Sequence, residues 1–177
     1  MSAIQVGKLP EEALPIKYAR NDAYTDCFYI DIFRKVSLEE YIEAFYTTPL
    51  IKVERTVLSL LARKPSTDEN AKQLSIGQNN QFAAWTVECR LSNQILLCDF
   101  TKKTRSWLMV NDRINTKTAV TRLYFGSVVV PKSVSKVGQP SFGFLFHVLY
   151  RFHYMYSGAL LKAAFTRLEK KGIGENV

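Results

Sequence analysis

The stretch Ser141–Lys171, SFGFLFHVLYRFHYMYSGALLKAAFTRLEKK, is one unbroken amphipathic segment, and it closes a chain of alternating apolar runs. On a wheel of 100° per residue, Leu145, Leu149, Phe152, Tyr156, Leu160 and Ala163 share a narrow arc. His147, Arg151, Lys162 and Glu169 fall opposite. The spacing predicts a helix with a buried aromatic stripe, weakened at Gly143 and Gly158 and stopped at Gly172. Phe142 to Leu161 has no acidic residue, but His147, Arg151 and His153 in its middle would be costly in lipid, which argues against a membrane span.

Upstream, Phe82 to Arg90, Gln94 to Phe100, Arg105 to Asp112 and Lys117 to Val130 are rich in β-branched and aromatic residues and read as strands. Their short polar connections imply antiparallel neighbours. Alternation puts Ala83, Trp85, Val87 and Cys89 on the inward face, with Leu96, Cys98, Phe100, Thr121, Leu123 and Phe125 beside them. Trp107 has no assigned face, because Ser106 to Val110 is apolar on both sides. Further upstream, Tyr24 to Phe33 reads as a first strand. Ser37-Leu38-Glu39-Glu40 reads as a capping box opening a helix to about Tyr46, with Leu38, Ile42 and Phe45 inward. A second helix is expected from Ile51 to Arg63, with Val57, Leu58 and Leu61 inward, and Pro65 to Asn70 as a polar loop. Residues 1–23, with Pro10 and Pro15, form an extended arm, and 24–177 a single domain. The expected class is therefore α+β: a curved antiparallel sheet around a long C-terminal helix, with two short helices after the first strand.

A chain of 177 residues, 47% hydrophobic and 23% charged, can bury a core without disulfides. Cys27, Cys89 and Cys98 form no CxxC pair and sit in apolar runs, which fits a reducing cytoplasm, and no secretory signal is visible at Met1 to Lys17. Charge is uneven: 11 basic against 13 acidic residues through Phe100, then 13 against 3 from Thr101 onward. The basic second half could attract an anionic partner or nucleic acid, but nucleic-acid binding also needs exposed stacking aromatics, and these aromatics read as buried.

The stretches Tyr24-Thr25-Asp26-Cys27-Phe28, Leu74-Ser75-Ile76-Gly77 through Trp85, Thr121-Arg122-Leu123-Tyr124-Phe125-Gly126, and His153-Tyr154-Met155-Tyr156-Ser157 through Leu160-Leu161 carry a family resemblance. With the order strand, two helices, strands, long helix, the chain resembles the helix-grip superfamily of START domains, pollen allergens and polyketide cyclases, and in particular its bacterial members without an assigned function. The resemblance implies a ligand held between the sheet and the last helix, but a shared fold does not fix function.

Catalytic arrangements mostly fall away. His147 and His153 are about 240° apart on the wheel, and the cysteines lack zinc spacing, so no metal site is expected and no cofactor is called for. Glu39 and Glu43 read as solvent-facing, and Ser133-Val134-Ser135-Lys136 lacks the motifs that accompany a Ser-x-x-Lys pair. His153, with Ser157 one turn on, would present an imidazole and a hydroxyl among aromatic walls, whereas Asp99 is expected to be exposed. The pocket candidates are Trp85, Val87, Leu96, Cys98, Leu123, Phe125, His153, Tyr156 and Ser157. The expected function is binding of a small hydrophobic or amphipathic ligand. The alternative is a cyclase- or hydratase-like enzyme using His153 with Tyr154, Tyr156 or Ser157.

Overall fold

The computed structural model describes residues 3–62, 65–115, 118–131, 133–134, 140–141 and 144–174, and the side chains of the last helix from Tyr154 to Gly172. In chain order the elements are β1 (Gln5–Val6), α1 (Ile16–Ala19), β2 (Tyr24–Thr25), β3 (Phe28–Ile32), α2 (Leu38–Tyr46), α3 (Pro49–Ala62), α4 (Asp68–Ser75) and β4 (Gln81–Phe82). There follow β5 (Trp85–Arg90), β6 (Gln94–Asp99), β7 (Thr104–Asn115), β8 (Thr118–Val129), the small pair β9 (Ser133–Val134) and β10 (Pro140–Ser141), and α5 (Phe144–Gly174). Among the described residues an open antiparallel sheet of eight strands runs β1-β3-β8-β7-β6-β5-β4, with β2 also on β8. The class is α+β. Strands β4 to β8 follow one another as a meander because their connections are short. The first long strand, β3, closes onto the last, β8, and Arg122 opposite Asp31 marks the register with two hydrogen bonds of 2.6 and 2.7 Å.

Helix ends follow from local chemistry. Ser37 Oγ accepts from the Glu40 amide at 3.1 Å, as its spacing predicts. The Glu40 carboxylate does not complete the expected box; Arg34 takes both its oxygens, at 3.0 and 2.6 Å, and also donates to the Leu168 carbonyl of α5. The next helix starts two residues earlier than expected, at Pro49, a residue suited to a first helical position, and Thr48 Oγ1 accepts from the Ile51 amide. The expected polar loop Pro65 to Asn70 instead opens α4: Thr67 caps it, with reciprocal bonds between Thr67 and Asn70 of 3.2 and 2.9 Å. The last helix passes through Gly172 to Gly174. A Cβ at Gly172 would come within 2.9 Å of Arg34 Nε, so this glycine lets Arg34 approach rather than ending the helix.

One sheet face is covered by helices. Phe28, Ile30, Ile32, Ile95, Leu97, Leu108, Val110, Leu123 and Phe125 pack there against Tyr41, Ile42 and Phe45 of α2, Leu74 of α4, and Leu160, Leu161, Ala164, Phe165 and Leu168 of α5. The buried stripe of α5 is centred about one residue, or 100°, further round the wheel than expected. Ala163 is only half-buried, whereas Ser157, Leu161, Ala164 and Leu168 are buried. The predicted orientations of Leu145, His147, Leu149, Arg151, Phe152 and His153 lie outside the described residues.

The other face is covered by the N-terminal arm. Leu9, Ala13, Leu14 and Tyr18 pack on Cys27, Leu96, Trp107, Met109 and Tyr124. Gln94, 2% exposed, holds this layer together. Its Oε1 accepts from the Leu14 amide (2.9 Å) and Trp107 Nε1 (3.0 Å), and its Nε2 donates to the Glu12 carbonyl (3.0 Å). Trp107 thus belongs to the arm side.

Candidate functional site

A cavity of about 280 Å³ lies between the sheet and the helices. Phe45 and Tyr46 come from α2, Ile51 and Glu54 from α3, and Tyr156, Ser157 and Leu160 from α5; Trp85, Ser106, Phe125, Ser127 and Val129 close it on the sheet side. Ring packing sets the aromatic wall. The Phe45 centroid lies 4.9 Å from that of Phe125 and 5.2 Å from that of Tyr46. Arg105 borders the cavity by its place on β7, but its guanidinium is engaged on the arm side with Tyr18 and Glu88.

Three polar features stand in this wall. Tyr156 Oη donates to Glu54 Oε2 at 2.8 Å, joining α5 to α3. Burial raises the Glu54 carboxyl above its ordinary range, partly offset by the Tyr156 hydroxyl. Burial likewise raises the Tyr156 phenol, and the negative charge of Glu54 raises it further. Tyr46 and Ser106 hydroxyls meet at 3.4 Å. Ser157 Oγ, on a residue 1% exposed, has no hydrogen-bond partner among the described residues. A buried hydroxyl left in that state costs free energy that a ligand group could recover.

Of the residues expected from sequence, Trp85, Phe125, Tyr156 and Ser157 line the cavity together. Leu123 is core on the same sheet face, and Val87 is half-buried against that core, both away from the cavity. Leu96 and Cys98 correct the inward assignment. A bulge between Val87 and Cys89 sets Val87 opposite Leu97 and Cys89 opposite Leu96, so Leu96 and Cys89 belong to the arm side. Cys98 alternates in step with Leu96 and pairs with Arg105. Phe100, expected inward, is exposed beyond the strand end, and Ala83 turns the chain at φ 50° before β5. Asp99 is half-buried rather than exposed, and its Oδ1 accepts from the Lys103 and Thr104 amides to shape the β6–β7 turn. The His153 side chain lies outside the described residues.

Glu54 joins the cavity without being among the residues expected from sequence. The signal was there: Ile51, Glu54, Leu58 and Leu61 follow the spacing of one helix face, so an acid occupies an apolar-stripe position. Among the described residues no three His, Cys, Asp or Glu side chains gather to hold a metal, and no helix is long and apolar enough to cross a membrane. Comparison of the chain with protein-family models, curated proteins and solved structures returns no match.

Proposed function

We propose that this protein binds a small hydrophobic or amphipathic molecule in the cavity between its sheet and α5. The observation that carries the reading is the cavity itself: aromatic and aliphatic side chains from two layers line about 280 Å³, and among the described residues the Ser157 hydroxyl there is left unmatched. That volume is close to the lower end of small-molecule sites, roughly 300–1,000 Å³, and favours a compact ligand over a two-chain lipid. A helix-grip-like architecture supports the same reading, as do the order of elements and the placing of α5 on the sheet. The three free cysteines support a reducing, cytoplasmic setting.

Native mass spectrometry of the purified protein tests the proposal by seeking a co-purifying small molecule. Displacement of a fluorescent apolar probe tests it independently. Tyr156→Ala, with folding verified by circular dichroism, should weaken the probe; equal binding by the variant would place the ligand elsewhere. An acid–base role in the same cavity is the second reading, and the Glu54–Tyr156 hydrogen bond favours it, since proton transfer needs such a group within reach of the ligand. An anionic partner on the basic second half is less supported, because Arg105 and Arg122 already pair with Glu88 and Asp31 of the first half.

A further inference from the structure

Resting on the reading of the cavity as a ligand site, we infer that its ligand is a small organic cation: an ammonium group carried on a compact apolar body. Five aromatic residues, Phe45, Tyr46, Trp85, Phe125 and Tyr156, stand in the wall of one cavity of about 280 Å³. The face of an aromatic ring carries negative potential, so each ring that turns its face to the space adds attraction for a cation. The single carboxylate among the described lining residues is Glu54, and its hydrogen bond comes from a neutral phenol, Tyr156, rather than from a cationic side chain.

Among the described residues the neighbouring cations are committed elsewhere. Lys52 and Arg55, on the same helix, both bind Asp68, at 2.6 and 2.8 Å. Arg105 is held by Glu88, at 3.1 Å, on the other face of the sheet. Among the described residues no ion pair reaches Glu54, so the countercharge of this partly desolvated carboxylate is left for a ligand to bring. Among the described residues no basic side chain would offset Glu54 for an anionic ligand. A neutral ligand would leave its charge unanswered.

The test compares benzyltrimethylammonium with neopentylbenzene, its uncharged isostere in which carbon replaces nitrogen. Titration of the full chain, followed by calorimetry and by tryptophan fluorescence, should give at least about tenfold tighter binding of the cation. Glu54→Gln should cut that preference severalfold and leave the neutral isostere unchanged, whereas Tyr156→Phe, which keeps the ring and the carboxylate, should retain the full preference. Tighter binding of neopentylbenzene than of the cation overturns the charge assignment while leaving the cavity reading intact. A Glu54→Gln protein whose preference for the cation is undiminished overturns the role of Glu54. If neither probe binds, the cation assignment falls together with the cavity reading. Should Glu54→Gln fail to fold, the wild-type ratio and Tyr156→Phe still decide.

Discussion

Asp26 makes the stability of this protein depend on pH in an unusual direction. Its side chain is 8% exposed beneath β8, with Oδ1 accepting from the Ser127 amide at 2.6 Å. Burial lifts its pKa from 3.8 to about 6, against hydrogen bonds from Ser127 and Tyr24 that act the other way. The folded carboxyl therefore holds its proton more tightly than the unfolded one. Its contribution to stability is full below the unfolded value of 3.8 and is lost as pH rises through about 6. Each pKa unit is worth about 1.36 kcal/mol, so ionisation of Asp26 removes on the order of 3 kcal/mol. Asn at this position keeps an oxygen for the Ser127 amide and does not titrate. Urea unfolding of wild type and Asp26→Asn, measured in steps from pH 4 to pH 8, isolates this group because every other carboxyl cancels in the difference. The variant should gain on wild type progressively across that window, by up to about 3 kcal/mol, less whatever its new amide hydrogens cost. A difference that stays constant with pH would refute the argument.

Gln94→Ala should cost about 2–4 kcal/mol in chemical denaturation, because it leaves Trp107 Nε1 and the Leu14 amide buried without their acceptor; a cost below 1 kcal/mol would mean that the arm is held by packing alone. The Asp31–Arg122 pair is partly exposed, so a double-mutant cycle should return about 1 kcal/mol of coupling. Arg122 holds the Asp31 carboxyl below its ordinary range, so this contribution is present above the unfolded pKa and fades as pH falls below it; coupling that persists unchanged at pH 2 would contradict it. Ser157→Ala removes a buried hydroxyl that has no partner among the described residues, and thermal unfolding should show it neutral or more stable. A loss above about 1 kcal/mol would show that the hydroxyl is satisfied in solution.

Local signals carried much of this fold. The Ser37 cap, the apolar stripe of α2 and the short strand connections depend on residues adjacent in sequence, and each is found where the pattern places it. Facing was harder to read where burial is two-sided. In β6, Ile95, Leu96 and Leu97 are all fully buried, since helices cover one face and the arm the other, so alternation has no polar side from which to take its phase. The bulge after Val87 then moves Cys89 across the sheet, a shift that no periodicity encodes. In α5 the first half carries aromatics around its whole circumference, and the phase is legible only from Leu160, Leu161, Ala164, Phe165 and Leu168. Trp85 and Phe125 were legible from strand alternation, and Tyr156 and Ser157 from their place in the aromatic half of α5 rather than from its phase. A charge on a helix is ordinarily solvated, so Glu54 does not stand out in the sequence, although its position in the stripe marks it.

The pairing of β3 with β8 also bears on how the chain is made. Asp31 leaves the ribosome 91 residues before its partner Arg122. At roughly 5–20 residues per second, that interval lasts about 5–18 seconds. Throughout it, β3 presents Phe28, Ile30 and Ile32 with no neighbour on the side that β8 will occupy. The segments made in that interval are α2, α3, α4 and β4 to β7, and the meander cannot close onto β3 until its final strand has emerged. Folding of this protein during synthesis is thus a matter of waiting, and its early segment is the place where a holding chaperone or a pause in translation would change the yield of native protein.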